Sequence, residues 1–261
     1  MKDDLRIWHY GLVARWWAEF DEGGDDVDYF RQAIEESGGP ALDAGCGTGR
    51  LLLPFLQAGL DVDGSDASAD MLELCRTRAE SEGLSVNLYA QPMHALELPR
   101  RYRTIVICGA FGLGGTRDQD LEGLRRIRAH LEPGGTLVMD HTLPPREAGG
   151  ESRKINLPQA WPEQGDRRRA RDGSELDLRW RLLRFDSVDR IATREICVRQ
   201  YENGQEVASE TRSIDICVYT QSEIESILAT AGFRQIRVTG GLEERAPRPG
   251  SETLIVFHAS P

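Results

Sequence analysis

Pro40-Ala41-Leu42-Asp43-Ala44-Gly45-Cys46-Gly47-Thr48-Gly49-Arg50 reads as a buried strand ending in a glycine-rich turn, with a helix opening at Leu51. Asp43 stands two residues before the first of three alternating glycines, Gly45, Gly47 and Gly49. Glycine reaches backbone angles closed to other residues and lets main chain approach a ligand without a Cβ in the way. A loop of this kind at the C-terminal edge of a strand is where open α/β sheets bind nucleotides. Its Gly-x-Gly-x-Gly spacing is tighter than the Gly-x-Gly-x-x-Gly of dinucleotide binders. With an acid beside it, the loop suits a ligand that carries a cationic amine and no pyrophosphate.

A second acid is expected about 20 residues after such a loop, at the end of the next strand, on the ribose hydroxyls. Leu60-Asp61-Val62-Asp63-Gly64-Ser65-Asp66 supplies it in Asp66, and Ala67-Ser68-Ala69-Asp70-Met71-Leu72 opens the next helix. Asp43 to Gly49 resembles the first motif of class I S-adenosylmethionine-dependent methyltransferases. Asp66 to Leu72 matches the Asp-x-Ser-x-x-Met-Leu common in that family, and Pro133-Gly134-Gly135 matches its turn before the fifth strand.

The resemblance implies a doubly wound, Rossmann-like α/β sheet of seven strands, the last antiparallel. It implies S-adenosylmethionine as methyl donor and an enzyme of the methyltransferase class. Asp43 is then expected near the methionine amine or as an organiser of the loop. Gly45, Cys46, Gly47 and Gly49 are expected to pass close to the donor, Asp66 to take the ribose, and Ala67 and Met71 to border it. Two departures are visible. Where family members carry Gly-Asp before the position of Met93, this chain has Gln91-Pro92; where they carry Phe-Asp, it has Tyr102-Arg103. Met93 still borders the adenine in this reading, and Gln91 is a candidate partner for the adenine amino group. Gly109, Ala110 and Phe111 follow the fourth strand, where the transferred methyl is bordered; Phe111 is read as a substrate wall. The Asn/Asp-Pro-Pro-Tyr/Phe of DNA amide methyltransferases is absent there.

Composition narrows the acceptor. The 261 residues carry 43 acidic and 32 basic side chains, a net charge of −11. Proteins that grip a nucleic-acid backbone show a basic excess, so a small-molecule acceptor is expected over nucleic acid. Arg167-Arg168-Arg169-Ala170-Arg171 reads as a solvated loop. Cys46, Cys75, Cys108, Cys197 and Cys217 show no metal-ligand spacing and mostly lie in apolar runs, which fits a reducing cytosol. No signal-peptide core and no membrane-length apolar run is read, so the expectation is a cytoplasmic protein without a metal.

Strands are read at 41–44, 60–65, 84–90, 103–109 and 135–141, helices at 49–58, 68–82 and 117–131. Residues 1–38 read as an N-terminal helical cap, 39–143 as the donor-binding core, 144–220 as an antiparallel β insertion, and 221–261 as the completion of the core sheet. Residues 144–165 read as an irregular connection. Three alternating segments follow, at 175–185, 190–202 and 206–219, with Asn203-Gly204 as a hairpin turn. Thr220-Gln221-Ser222-Glu223 has capping-box spacing. The insertion is expected to cover substrate or to carry a homodimer contact. Trp161, Trp180, Arg179, Arg181 and Tyr201 are its candidate pocket residues, Trp180 first among them.

Methyl transfer from a sulfonium asks mainly for alignment. His141, at the end of a central strand, is the first candidate base, with Asp140 the alternative; His9 and His94 are weaker ones. His130 ends a helix, where a cation complements the dipole, and His258 is read as remote. Tyr10, in the aromatic first helix with Trp8, Trp16, Trp17 and Phe20, is a candidate for the donor carboxylate; the other reading of that stripe is core. The function expected is methylation of oxygen or nitrogen on a small molecule, such as a sugar or natural-product intermediate. The alternatives are a protein or RNA methyltransferase, or a non-catalytic S-adenosylmethionine-binding protein.

Overall fold

The computed structural model describes residues 7–144, 156–248 and 250–261. In chain order the elements are α1 (Gly11–Phe20), α2 (Asp25–Ser37), β1 (Ala41–Ala44), α3 (Leu52–Gln57), β2 (Val62–Asp66), α4 (Ala69–Ser81), β3 (Leu88–Ala90), β4 (Tyr102–Ile107), α5 (Arg117–Ala129) and β5 (Leu131–Thr142). They continue with β6 (Asp166–Arg169), β7 (Glu175–Asp186), β8 (Ile191–Glu202), β9 (Gln205–Cys217), α6 (Gln221–Ala231), β10 (Gln235–Gly240) and β11 (Leu254–Ser260). They form two compact units. One holds residues 22–111, 117–144 and 219–261; the other holds 7–21, 112–116 and 156–218.

The larger unit is built on a seven-stranded sheet in the order β10-β11-β5-β4-β1-β2-β3. β1 pairs in parallel with β2 and β4, and β11 runs antiparallel to both β5 and β10. The order reverses at β1, which puts a crevice at the C-terminal ends of β1 and β4. Leu42 and Val106 are fully buried, and Val106, Val138 and Val256 join Phe30 and Ile34 of α2 and Leu52 and Phe55 of α3 in one core. Acidic Asp25, Asp26 and Asp28 in the first turn of α2 complement its dipole.

Local signals explain most ends. Ser68 caps α4 by accepting from Met71 N–H at 3.2 Å. Thr220 and Glu223 form the expected capping box, and Gly232 closes α6 at φ 101°. The Pro133-Gly134-Gly135 turn differs from expectation. β5 already begins at Leu131, opposite Tyr102, and resumes pairing at Thr136 opposite Thr104. The turn is absorbed as an irregularity within one strand, with Gly134 at φ 75°. α3 is shorter than read, because residues 47–51 remain in the turn of the glycine loop. β3 is shorter too, starting at Leu88.

The smaller unit carries a four-stranded antiparallel sheet, β6-β7-β8-β9. Asn203 and Gly204 both take positive φ, 50° and 80°, as a tight hairpin turn requires. Trp8, Val13 and Trp16 pack on Leu176, Leu178, Ile196, Val198 and Ile214. Trp8, Val13 and Trp16 are therefore core of this unit. The 1–38 segment divides, with α1 in the smaller unit and α2 in the larger. Arg167, Arg168 and Arg169, read as a loop, form edge strand β6 along β7; their side chains stay exposed, as an edge strand tolerates. Of the irregular connection at 144–165, residues 145–155 lie outside the described residues.

Candidate active site

The glycine loop leaves β1 with Gly45 and Gly47 at φ 86° and 54°. Gly45 N–H and Cys46 N–H both donate to Ser65 O, at 2.7 and 3.0 Å, which ties the loop to β2. A Cβ on Gly45 would collide with the Ala110 methyl and stand 3.3 Å from Met93 Cε. A Cβ on Gly47 would stand 3.1 Å from Met71 Cε. Glycine at these two positions lets Ala110, Met93 and Met71 approach the loop backbone closely. Gly49 has a different reason. Its Cβ would meet Cys75 Sγ at 2.7 Å and Leu53 Cγ at 2.8 Å, so close packing of α3 on α4 demands the glycine.

Asp66 ends β2 facing this loop. Its Oδ2 accepts from Gly47 N–H at 3.0 Å and its Oδ1 from Ser68 N–H at 2.8 Å. With the Ala67 N–H also directed at the carboxylate, three backbone donors hold Asp66 in place. Burial raises the Asp66 pKa, while bonds from the Ser68, Gly47 and Ala67 N–H groups oppose the rise. Asp43 is 2% exposed. Burial pushes its carboxyl up to about 7; Arg50 and the Leu52 N–H oppose this and the Asp66 charge adds to it. Cys46 is buried, so only its backbone belongs to the loop surface. Gln91 turns its amide onto the Glu97 backbone, accepting from its N–H at 2.7 Å and donating to its carbonyl at 3.2 Å. It orders the 91–97 loop, and the Gly45–Met93 corner is bordered without it.

The two candidate bases point to opposite faces of the sheet, as neighbours in a strand must. Asp140 shares its face with Val138 and α2. Its Oδ1 accepts from Gly109 N–H at 2.6 Å and its Oδ2 from the Cys108 thiol at 3.5 Å. Burial raises its pKa against those two bonds. His141 lies edge-on to Tyr219, with ring centroids 6.2 Å apart. Its Nε2 is 3.1 Å from Tyr219 O; a carbonyl only accepts, so Nε2 donates. Phe111 is nearly buried, 5.5 Å from the same tyrosine ring.

The remaining histidines separate by environment. His9 accepts from Trp8 Nε1 at 3.1 Å, and burial pulls its pKa down to about 4. His130 Nε2 accepts from Leu98 N–H at 3.0 Å while its Nδ1 donates to Arg126 O at 2.8 Å. It is therefore a neutral bridge and not the dipole-facing cation expected. His258 is held by the Tyr29 hydroxyl at 2.9 Å on the α2 face. His94 is half-buried in a 3-10 turn, Met93–Ala95. In the smaller unit, Trp180 is 52% exposed with the Arg194 guanidinium 5.1 Å from its ring centroid. Arg181 stacks on Trp161 at 4.5 Å, Arg167 on Tyr201 at 4.0 Å and Arg212 on Tyr10 at 5.8 Å. Arg179 bonds Asp177 at 3.0 Å. Among the described residues no group of acids, cysteines and histidines could hold a metal, and no helix is long and apolar enough to cross a membrane.

This sheet order, glycine loop and second acid resemble those of class I S-adenosylmethionine-dependent methyltransferases. Residues 41–135 match the family model described as a methyltransferase domain. It is 31% identical over 162 residues to the cypemycin N-terminal methyltransferase of a Streptomyces species, covering 60% of this chain and 63% of that protein. The chain spans less than two thirds of the first curated relatives it matches, with 63%, 40% and 60% of their lengths covered. Solved structures share the fold. The CcbJ methyltransferase of Streptomyces caelestis superposes with a TM-score of 0.73 at 19% identity, over 95% of both chains. The sugar N-methyltransferase KedS8 of a Streptoalloteichus species gives 0.69 at 18%, over 100% of this chain and 95% of that one.

Proposed function

We propose that the protein transfers a methyl group from S-adenosylmethionine to a nitrogen or oxygen of a small molecule, such as an amino sugar or a natural-product intermediate. The observation that carries this reading is the Asp66 carboxylate at the end of β2, anchored to the Gly47 N–H of the glycine loop. When bound, S-adenosylmethionine supplies an already activated methyl on a sulfonium. In this reading Asp66 holds the ribose hydroxyls, Gly45 and Gly47 give the donor room, and Met71, Met93 and Ala110 border it. Asp43 offers its charge to the donor ammonium. Names of similar proteins support a nitrogen acceptor: a peptide N-terminus for the cypemycin enzyme, a sugar nitrogen for KedS8, an amino pentose for CalS10. A methyl-transfer screen over amino sugars, peptide amines and phenols tests the reading. Turnover of none of them, together with no affinity for S-adenosylhomocysteine, would remove it. The same reading places the protein in the cytoplasm and leaves a homodimer through the antiparallel sheet to sedimentation.

Asp43 sets a pH dependence. Its raised pKa means that its contribution to folding is full below the ordinary carboxylate range and is lost as pH rises through about 7. A cationic ligand prefers the ionised form, so donor affinity should rise with pH up to about 7 and then level off. Between pH 5.5 and 8 the gain is expected to be roughly ten- to thirtyfold, since one pKa unit is a factor of ten. Calorimetry in buffers of different ionisation heat should show proton release near pH 6.5. A flat profile would separate Asp43 from the ammonium.

If the acceptor is a hydroxyl, a proton must leave it, and His141 is the group proposed to take it. His141→Ala should then lower turnover by ~10² or more, with donor affinity unchanged. An amine acceptor need only arrive deprotonated, and the variant would lose little at raised pH. Equal pH–rate profiles for both proteins would leave Asp140 or no base. Activity is expected to survive chelation; loss in a chelator and recovery with magnesium would reveal a metal requirement.

A further inference from the structure

Met93 is held between two glycines. Its Cε stands 3.3 Å from where a Cβ on Gly45 would sit, and its Cβ stands 3.2 Å from where a Cβ on Gly123 would sit. Gly123 is buried in the middle of α5. The same added Cβ would be 3.6 Å from His94 N and from Met93 C, so the backbone of the Met93–Ala95 turn also rests on the helix there. Glycine is the least favourable helix residue after proline, and Gly123 is helical, so no left-handed backbone asks for it. Packing explains it. A methyl at this position would come closer to Met93 Cβ than the usual carbon–carbon separation of about 3.5–4.0 Å, and the turn would have to give by a few tenths of an ångström. The turn moves as a unit. The Gln91 amide bonds the Glu97 backbone in both directions, Ala95 N–H donates to Pro92 O at 2.9 Å, and Leu96 is fully buried.

We propose that Gly123 is a positioning residue for the adenine end of the donor, acting through Met93. The inference rests on the donor reading above, in which Met93 borders the adenine, and adds the residue of α5 that sets how far Met93 reaches over the glycine loop. The turn carries Gln91-Pro92 where the resembling family carries Gly-Asp, and the Gln91 amide is engaged in closing the 91–97 loop. Contact with the ring then depends on shape at Met93, and shape depends on where the turn is seated. Dispersion attraction falls steeply with separation, and a gap of about 0.5–1 Å already forfeits a quarter to a half of it. Alanine at position 123 would favour the helix and crowd the turn. Folding and donor binding are therefore expected to respond differently to that one methyl group.

Calorimetric titration of S-adenosylhomocysteine into wild type, Gly123→Ala, Met93→Ala and the double variant, with thermal unfolding of each, is the test. Gly123→Ala should weaken binding about five- to tenfold, an overpacking effect felt at the ligand, while its Tm stays within about 3 °C of wild type. Met93→Ala should weaken binding about fivefold through the lost contact. The double variant should bind no more than about twofold worse than Met93→Ala, because Gly123 acts through the side chain already removed. Unchanged affinity in Gly123→Ala, whatever its Tm, would overturn the proposal. So would an equal loss from Gly123→Ala with the Met93 side chain present and truncated. If Gly123→Ala fails to fold, Gln91→Ala loosens the same turn from its other side. It should weaken binding about threefold, and that loss should vanish in the Met93→Ala background; equal losses in both backgrounds would overturn the proposal by that route. Wild type that does not bind S-adenosylhomocysteine would instead overturn the donor reading itself.

Discussion

Replacing Asp66 by Ala is expected to weaken S-adenosylhomocysteine binding by on the order of a hundredfold or more. In the proposed site the carboxylate accepts from two ribose hydroxyls, and bonds to a charged acceptor contribute about 1.5–3 kcal/mol each. The substitution also frees Gly47 N–H and Ser68 N–H, which Asp66 now holds at 3.0 and 2.8 Å. The loop loses one of its links to β2, keeping those to Ser65 O, as well as the ligand contact. Asp66→Asn separates the two effects. The amide keeps one accepting oxygen, so it should fall between wild type and Ala, at about tenfold. Calorimetric titration reads both variants. Unchanged affinity in Asp66→Ala would take Asp66 out of the site.

The largest expected effect on stability lies three residues earlier. Asp63 points into the sheet, 1% exposed. It accepts from Arg100 Nε at 2.8 Å and Nη2 at 2.9 Å, from the Tyr102 hydroxyl at 2.8 Å and from Asn87 Nδ2 at 3.0 Å. Asp61 holds the other side of the same guanidinium, at 2.7 and 2.8 Å. Asp63→Ala removes the common acceptor and strands the Tyr102 hydroxyl, whose residue has no exposed surface. Breaking such a buried pair typically costs about 3–5 kcal/mol. For a protein of this size that is a fall in Tm on the order of 10 °C. Adding Tyr102→Phe should recover part of the loss, because the stranded donor goes with it. A loss below about 1 kcal/mol in Asp63→Ala would mean that water replaces the acceptor.

Asp63 and Asp66 also show where sequence reading stops. Both are acids in one short segment, Asp61 to Asp66. Spacing from the glycine loop singles out Asp66, because a strand-end acid after such a loop has a geometric reason to be there. Nothing in the segment distinguishes Asp63, whose partners come from residues 87, 100 and 102. The same limit applies to Gly49. In the motif it looks like a ligand glycine, yet the atoms that exclude a side chain there are Cys75 Sγ and Leu53 Cγ. Arg50 was visible as the residue after the motif; its partners Asp26 and Cys108 lie 24 and 58 residues away. The departure Gln91-Pro92 was legible, but the amide's turn onto Glu97 was a local loop choice that composition does not encode.

By itself the sequence determined the α/β class, the position of the glycine loop and of Asp66 at the end of β2, and the hairpin at Asn203-Gly204. These follow from local rules: strand alternation, glycine backbone freedom, turn chemistry and caps act over a few residues. Tertiary structure alone decided that α1 is core of the smaller unit while α2 serves the larger one. It alone gave Asp140 and His141 their different partners, and built the Asp26–Arg50–Cys108 and Asp63–Arg100–Tyr102 networks. Each of those outcomes depends on which distant side chains share a desolvated space, where an unpaired charge or donor is costly enough to select one arrangement.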